Sequence, residues 1–433
     1  MVKKVISILF VMITACALVF SSGSKDETTE TGKTEISICW WGNQVRNDRT
    51  QKVLEMYEEE HPDVAIEGQF LADYWQRLAT LAAGHAMPDV IQMDYSIIAQ
   101  YINNGLLVDL APYIESGVLN LDDVSPTIID TARVGDSIYG VCNGVNAPAM
   151  LYNKTLTDSL GITIKDNMTI DEFIDISRKI YAETGYKTSF VYGGDVDDQY
   201  LNYYLRGEGL YLYDDDGLAV GVEDLLPFFQ IFEQGINEGW QVSANVYVER
   251  QRGTVEQDCL VYGSSPDTMS WCAFYHSNQM VATQNAAPDG MEIGITTWPS
   301  PNPALSNFLK PSQFFCVSID SKNPEIGASL IDYITNSVDA NNVLLGERGI
   351  PASSVVAKAI SPNQSEIDQI VSAYINDVVT PNCSPIDPPF PDYAPQVDKV
   401  IEQLTEKVLY GRITAEEAAN QLFTEGNAIA KSK

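Results

Sequence analysis

The sequence predicts an α/β fold in which parallel strands alternate with helices. Between residues 36 and 113, short apolar strand patterns alternate with amphipathic helical patterns, and brief polar loops separate them. The chain has 433 residues, which is enough for two domains of ordinary size. It is 45% hydrophobic and 20% charged, a composition typical of globular proteins rather than of disordered ones.

The first strand begins at Ile36, where apolar and polar residues alternate, and it runs into two tryptophans, Trp40 and Trp41. A second strand is predicted over 64–70 and a third over 88–95. In open α/β sheets, ligands bind outside the carboxyl ends of the strands. We therefore expect the residues that follow these strands to contact a ligand. Because neighbours on a strand point to opposite faces, we expect Trp41 to face the ligand and Trp40 to face the core.

The rest of the chain continues the alternation of strands and helices. Thr169 and Glu172 form a capping box, as do Thr414 and Glu417, and each box predicts the start of a helix. A buried strand is expected to begin at Cys259. Further strands are predicted over 138–146, 149–154, 291–298 and 314–319, and further helices over 225–236, 323–336 and 396–430.

The N-terminus is predicted to be an export signal over residues 1–20. Two lysines precede an apolar run that is too short to span a bilayer comfortably. Residues 21–35 are polar and predict a flexible tether. Cys16 ends a loose lipobox, which favours a lipid anchor, although apolar residues follow the cysteine where a polar tether is expected. A lipid-anchored surface protein and a secreted protein both stay open, and both place the mature chain outside the cytoplasm.

Composition and motifs argue against several functional classes. The formal net charge of −33 disfavours nucleic acid as a partner, because an acidic surface repels phosphates. The three histidines lack metal-site spacing, and the sequence contains no GxSxG, Walker or GxGxxG motif. We therefore predict no catalytic residue, no metal and no cofactor. A glycosidase needs only two suitably placed carboxylates, so that class stays open with 59 acidic residues present.

Aromatic residues occur together with planar polar residues at the predicted loop positions. Sugar rings have apolar C–H faces that suit aromatic rings, and hydroxyl rims that suit Asp, Asn and Arg side chains. This combination favours a carbohydrate ligand, although any single tryptophan is equally compatible with a core position. The candidate ligand contacts are Trp41, Asn43, Arg46, Asp73, Tyr74, Trp75, Asp94, Tyr95, Asn143, Asn146, Tyr200, Trp271, Trp298 and Arg348.

Several short segments together span nearly the whole chain after the export signal. They are Trp40-Trp41-Gly42 and residues 88–94, 104–110, 138–141, 151–154, 169–173 and 347–352. In their residues, order and spacing, these segments resemble the extracellular solute-binding proteins of carbohydrate ABC importers, of the maltose-binding kind. The sequence departs from the family at Cys142 and Asn143, where a proline is common.

The resemblance implies two hinge-linked α/β lobes with a ligand cleft between them. It also implies a monomer that captures an oligosaccharide and presents it to the permease of an ABC importer, without making or breaking a bond. The same fold binding a polyamine or a peptide is the main alternative, and a glycosidase is a further one. The expected parts are lobe 1 over 36–141 plus 285–320, lobe 2 over 147–272 plus 325–433, and crossovers near 142–147, 272–290 and 319–325.

Overall fold

The computed structural model describes residues 32–42, 44–71, 73–190, 200–214, 216–249 and 254–432. The predicted export signal with Cys16, the tether up to residue 31, and Asn43 lie outside the described residues. Within these ranges, no helix is long and apolar enough to cross a membrane. The six cysteines that the structure describes are all free, and five of them are buried.

Ten strands and eighteen α-helices are labelled here in chain order, counting only the described residues. The strands are β1 Thr34–Trp40, β2 Val64–Phe70, β3 Val90–Met93, β4 Arg133–Val134, β5 Ser137–Ile138, β6 Val141–Asn146, β7 Pro148–Asn153, β8 Cys272–His276, β9 Ile293–Thr296 and β10 Lys310–Val317. The helices are α1 Gln44–Glu60, α2 Tyr74–Ala83, α3 Tyr95–Asn103, α4 Ala111–Glu115, α5 Pro126–Ile129, α6 Lys154–Ser159, α7 Ile170–Thr184, α8 Tyr200–Gly207, α9 Val222–Glu238, α10 Ala244–Glu249, α11 Met280–Ala286, α12 Pro303–Ser306, α13 Pro324–Asn336, α14 Val338–Leu344, α15 Ser354–Ile360, α16 Glu366–Ala373, α17 Ala394–Leu409 and α18 Ala415–Ala430.

Five strands form the first sheet, in the order β2-β1-β3-β10-β6. β1 pairs in parallel with β2 and β3, as the sequence predicts, whereas β10 is antiparallel to both β3 and β6. All four residues of β3 are buried, which is expected of a parallel strand covered on both faces. The fold is therefore α/β, as predicted, and three parallel strands point their carboxyl ends towards one edge of this sheet.

The second sheet is antiparallel, in the order β8-β7-β9. A single residue, Ala147, joins β6 of the first sheet to β7 of the second. Because side chains alternate along a strand, β7 contributes Ala149 and Leu151 to one hydrophobic cluster and Met150 to the other. The second sheet is thus covered on both faces.

The strand predicted to begin at Cys259 is wrong. This stretch follows the 3-10 helix Val255–Gln257 and forms turns, and the next strand begins only at Cys272. A short apolar run does not distinguish a strand from a buried turn by periodicity alone. The error matters for the site, because Trp271 then lies just before a strand rather than after one.

Helices α13 and α14 pack against the first sheet. The Tyr57 hydroxyl on α1 donates to Ser329 Oγ on α13 over 3.0 Å. A Cβ atom on Gly327 would lie 3.1 Å from a methyl carbon of Val317, so the glycine permits a close approach of α13 to β10. Ser354 donates its N–H to the carbonyl of Asp123 at 2.9 Å. Residues 324–354 therefore pack with the first sheet, which differs from their predicted place in lobe 2.

The chain then returns to the second sheet. The Tyr374 hydroxyl donates to the carbonyl of Pro148 on β7 over 2.5 Å. Helices α17 and α18 pack into the hydrophobic cluster that also contains α9. We therefore propose that the chain crosses between the lobes at Ala147, between β9 and β10, and between residues 354 and 366. The crossovers predicted near 142–147, 272–290 and 319–325 stay predictions, and the first of them contains Ala147.

Candidate ligand-binding site

The carboxyl ends of β1, β2 and β3 lie side by side. Trp40 pairs with Phe70, and Cys39 pairs with Ile91, so the loops after the three strands emerge at the same edge of the sheet. These loops carry seven of the predicted ligand contacts. They are Trp41, Asn43, Asp73, Tyr74, Trp75, Asp94 and Tyr95, of which Asn43 lies outside the described residues.

Three aromatic rings from two of these loops form one cluster. The Trp41 ring centroid lies 4.9 Å from those of both Tyr74 and Trp75, and the latter two rings meet edge to face at 5.1 Å. Tyr74 is buried, and its hydroxyl donates to the carbonyl of Gln92 over 2.6 Å. Trp41 and Trp75 are half-buried. Tyr74 is therefore a buried residue that packs against the two indoles, which corrects its predicted role as a ligand contact. The two indoles keep part of their surface exposed.

The loops after β2 and β3 also present carboxylates. Asp73 is exposed and precedes α2 with a φ of 50°, and its side chain makes no capping hydrogen bond. Asp94 is half-buried and caps α3 by accepting the N–H of Ser96 at 2.9 Å. The Tyr95 hydroxyl donates to the carbonyl of Asp387 over 2.9 Å. Asp94 and Tyr95 thus lie where the first lobe meets a segment from the far end of the chain.

A cleft of about 440 Å³ lies between the two lobes at this point. Its first wall comes from the start of α3, and its opposite wall comes from α8, the segment after β9 and a proline-rich segment before α17. The lining residues are Asp94, Tyr95, Ser96, Asn202, Tyr203, Arg206, Trp298, Phe308, Lys310, Pro311, Ile386, Asp387, Pro388, Pro389, Phe390, Pro391, Asp392 and Pro395.

Trp298 lines the cleft, although most of its ring is buried. It is only 2% exposed, and its indole N–H finds no acceptor among the described residues. Its carbonyl accepts the hydroxyl of Tyr203 at 3.1 Å, which holds the segment after β9 against α8. Trp298 therefore forms part of the wall that faces α3 across the cleft.

Arg46 and Arg348 lie behind the loop after β1 and bind protein groups. Arg46 donates to Gln313 Oε1 at 3.2 Å and to the carbonyl of Glu347 at 3.0 Å. Arg348 is 3% exposed, and it donates to Gln92 Oε1 and to Thr50 Oγ1. Burial and the neighbouring Arg46 charge lower the pKa of Arg348 to about 9, which leaves the guanidinium protonated at pH 7.

This cluster corrects the predicted roles of both arginines. Arg46 also donates to the carbonyl of Trp41 at 3.4 Å, and a Cβ on Gly42 would lie 2.4 Å from its Cδ. Gly42, at a φ of 152°, thus lets the loop fold over the arginine. In this structure Arg46 braces the loop that carries Trp41, whereas Arg348 binds Gln92 on β3 and Thr50 on α1 and is too deeply buried to contact a ligand.

Tyr200 and Trp271 are core residues in the structure, which corrects their predicted role. Tyr200 is fully buried on α8, and its hydroxyl donates to the carbonyl of Pro299 at 2.6 Å. Trp271 is also fully buried, and its indole N–H donates to Thr188 Oγ1 at 2.9 Å. Both polar groups have hydrogen-bond partners inside the protein, and both side chains are fully buried, so neither contacts a ligand in this structure.

Residues 43–340 match the family described as bacterial extracellular solute-binding protein. This chain belongs to that family. Its members are binding proteins rather than enzymes, and their extracellular location makes this an exported protein. Among the described residues, no group of three or more His, Cys, Asp or Glu side chains could hold a metal ion.

Two known sequences illustrate the relationship. The maltodextrin-binding protein MdxE of Bacillus subtilis (strain 168) is 22% identical to this solute-binding protein over 395 residues, covering 88% of each chain. The multiple sugar-binding protein of Streptococcus mutans is 21% identical over 196 residues, which is 44% of this chain and 42% of that protein.

Solved structures show the same two-lobed fold. An extracellular solute-binding protein of family 1 from Alicyclobacillus acidocaldarius superposes with a TM-score of 0.82 at 22% identity, covering 94% of this chain and 100% of that one. A periplasmic oligogalacturonide-binding protein from Yersinia enterocolitica gives a TM-score of 0.74 at 20% identity, covering 92% and 99%. The predicted periplasmic-binding-protein-like fold is therefore confirmed.

Two predicted contacts on β6 stay predictions in this solute-binding protein. Asn143 is 8% exposed, and its amide nitrogen and oxygen have no hydrogen-bond partner within the described residues. Asn146 is half-buried and pairs with Lys310 at the start of β10. Both lie on the strand that leads into the second lobe through Ala147.

Apart from Trp298, the sequence reasoning missed the second wall of the cleft. Asn202 and Arg206 lie on a helix whose other residues are apolar or aromatic, and Lys310 starts a strand. The proline-rich segment before α17 had a usable signal, because four prolines between residues 385 and 391 exclude a helix and predict an extended loop. Nothing in the local pattern shows, however, that this loop crosses the cleft.

Proposed function

We propose that this protein captures an oligosaccharide outside the cytoplasmic membrane and delivers it to the permease of an ABC importer. The observation that carries the proposal is the inter-lobe cleft, whose walls combine the buried indole of Trp298 with carboxylates and amides. Aromatic faces suit the apolar faces of sugar rings, and Asp94, Asp392 and Asn202 can bind hydroxyl groups. Trp41 and Trp75 extend the same edge of the first lobe.

Membership in the extracellular solute-binding family supports the proposal, and so do the substrates named for its relatives. Those relatives include a maltodextrin-binding protein, an oligogalacturonide-binding protein solved with digalacturonic acid, and a Listeria monocytogenes protein solved with cycloalternan. All three ligands are oligosaccharides. We propose the same class for this chain and leave the sugar and its linkage to experiment.

Closure of the two lobes would be the conformational change that distinguishes the ligand-bound protein from the free protein for the permease. A ligand shifts an equilibrium between two conformations only if it binds one of them more tightly. A sugar in this cleft contacts both lobes together only when they are closed, so binding favours the closed state. We further propose that the protein acts as a monomer, held near the membrane by a lipid on Cys16 or released as a secreted protein.

Isothermal titration calorimetry against a saccharide panel tests the proposal. The panel contains maltodextrins, oligogalacturonides and cyclic glucans, with a polyamine and a peptide mixture representing the alternative ligands. We expect one saccharide class to bind. Tight binding of only the polyamine or the peptides would replace carbohydrate with that ligand, and absence of any binding would contradict the proposal. Chromatography of the bound sugar after long incubation would reveal cleavage and so a glycosidase.

Asp94→Ser probes the site with little effect on folding, because serine caps a helix about as well as aspartate. The variant removes a carboxylate from the cleft wall, and we expect an affinity loss of about tenfold, the equivalent of ~1.4 kcal/mol. The matched control is Asp122→Ser, which removes an exposed carboxylate that does not line the cleft. An equal affinity change in both variants would show that net charge, rather than the cleft, determines binding.

A further inference from the structure

A proline-rich segment, residues 383–395, closes one side of the cleft, and we call it the strap. Five of its residues are prolines, which restrict the backbone and remove N–H donors. The strap ends in the first turn of α17, and most of it lines the cleft. The inference below rests on the proposed function, because it concerns how this same cleft closes.

The second lobe holds the strap mainly through Arg206 on α8. This arginine is 7% exposed and forms an ion pair with Asp387. Its guanidinium also donates to Ser384 Oγ at 2.6 Å and to the carbonyl of Pro385 at 2.8 Å. A planar fork of donors can bind several acceptors in one fixed geometry, which an ammonium group cannot reproduce. Arg206 therefore fixes the backbone of the strap around Asp387.

Aromatic residues of the second lobe hold the other half of the strap. The Phe390 ring stacks on Tyr211 with ring centroids 6.3 Å apart and an interplanar angle of 13°. The Tyr211 hydroxyl donates to the carbonyl of Pro388 at 3.3 Å, and Tyr393 donates to the carbonyl of Asp214 at 2.6 Å. These contacts join the strap to α8 and the loop that follows it, so the strap moves with the second lobe.

Tyr95 reaches the strap from the opposite lobe. Its hydroxyl donates to the carbonyl of Asp387 at 2.9 Å, while its ring lies 6.4 Å from that of Phe314 on the first sheet. Asp387 is therefore held through its carboxylate by the second lobe and through its carbonyl by the first. We infer that the Tyr95–Asp387 hydrogen bond is a latch between the lobes, and that Arg206 is the positioning residue that presents the strap to it.

The latch biases the same equilibrium that the ligand shifts. If the lobes separate, the Tyr95 hydroxyl and the Asp387 carbonyl part, because they belong to different lobes. The bond thus stabilises the closed arrangement and adds to whatever contacts a ligand makes with both lobes. A hydrogen bond that joins the two lobes of the protein raises the fraction of closed molecules before the ligand binds. It also slows the release of the ligand afterwards.

Two tyrosine variants distinguish a latch from an ordinary strap contact. Tyr95→Phe removes the hydroxyl that crosses the cleft, and Tyr211→Phe removes a hydroxyl that binds the same strap from within one lobe. Tyr211 does not line the cleft, so it is the matched control. Small-angle X-ray scattering without any sugar is expected to show a larger radius of gyration for Tyr95→Phe only. Unchanged scattering for Tyr95→Phe, or an equal change in both variants, would overturn the inference.

A second readout uses the saccharide found by calorimetry. We expect its dissociation rate to rise about two- to tenfold in Tyr95→Phe, the equivalent of one neutral hydrogen bond, and to stay unchanged in Tyr211→Phe. An unchanged rate in Tyr95→Phe would contradict the latch. If the wild-type protein binds no saccharide, the proposed function fails, but the scattering comparison still decides whether the latch exists.

Arg206→Lys tests the positioning role. Lysine keeps the charge but cannot serve the three strap acceptors together, so the variant should open the protein as Tyr95→Phe does. Arg178→Lys, at an exposed arginine paired with Glu238, is the control and should not change the scattering. If Arg206→Lys fails to fold, Asp387→Asn removes the ion pair and leaves the carbonyl that Tyr95 binds. If the folded variant keeps the radius of gyration of the wild-type protein, a positioning role for Arg206 is excluded.

Discussion

Two aromatic regions of this protein use the same residue types in opposite ways. At the edge of the first sheet, Trp41 and Trp75 lie together and keep part of their surface exposed. In the second lobe, Trp271 packs beside Phe173, whose ring also contacts Phe190, and it has no exposed surface. Tryptophans of both regions were candidate ligand contacts from sequence. The difference shows that composition identifies an aromatic cluster, whereas position in the sheet decides what the cluster faces.

The position of each tryptophan relative to its strand explains the difference. Trp41 follows β1, at the carboxyl edge where ligands of α/β sheets bind. Trp271 precedes β8, and its indole N–H is already bound to Thr188. Trp41, after a parallel strand, therefore keeps part of its ring exposed, whereas Trp271, before an antiparallel strand, is enclosed by the core.

The largest effect is expected for Trp271→Ala. The change removes a fully buried indole and leaves a cavity, so we expect the free energy of unfolding to fall by about 3–5 kcal/mol. Chemical denaturation monitored by circular dichroism measures this loss. The molecules that remain folded should bind the saccharide with unchanged affinity. A large affinity loss without a loss of stability would place Trp271 at the ligand and break the comparison.

Trp41→Ala is expected to lower stability less than Trp271→Ala does, and to lower ligand affinity instead. Trp41 is half-buried and packs with Tyr74 and Trp75 at the carboxyl edge of the first sheet, so we expect a stability loss of at most about 1 kcal/mol but an affinity loss of about tenfold. Calorimetry with the identified saccharide measures the affinity. Tyr262→Ala is the matched control, because it removes a 68% exposed ring that does not line the cleft. Equal affinity for Trp41→Ala and wild type would remove Trp41 from the site.

Features set by neighbouring residues could be predicted from the sequence. The strand predicted over 64–70 coincides with β2, and both capping boxes are present at Thr169 and Thr414. Each depends on residues only a few positions apart. The grouping of Trp41 and Trp75 at one edge of the sheet follows from the rule that parallel strands share a carboxyl edge.

Features set by distant residues could not be predicted. Arg206 meets Asp387, which lies 181 positions away, and Arg348 meets Gln92 across 256 positions. No local pattern distinguishes an arginine that binds a ligand from one that braces a loop. The wrong strand at Cys259 is a different case, because a short apolar run fits a strand and a buried turn equally well.

The smallest expected effect concerns an ion pair of the second lobe. Glu238 accepts two hydrogen bonds of 2.7 Å from Arg178 and one of 2.8 Å from the indole N–H of Trp240. The Arg178 hydrogen bonds lower the pKa of Glu238 to about 2, with smaller contributions from Gln234 and Trp240. A carboxyl whose folded pKa lies below its unfolded value, about 4.3, stabilises the fold above that unfolded value. This stability is lost as the pH falls from about 4.3 towards 2.

The buried pair Arg206–Asp387 is expected to change the free energy of unfolding in the opposite direction as the pH falls. Burial raises the pKa of Asp387 even though Arg206 lowers it, so protonation of Asp387 favours the folded state as the pH falls.

Arg178 is 42% exposed and Glu238 35%, so solvent screening limits their pair to about 0.5–1 kcal/mol. Glu238→Gln should therefore flatten the loss of stability below pH 4.3, and Asp387→Asn should steepen it. Urea unfolding between pH 2 and 6 measures both slopes, and a steeper loss for Glu238→Gln would contradict the assignment. Because the two pairs differ mainly in burial, opposite slopes would show that enclosure, rather than the presence of a partner, decides what a side chain contributes.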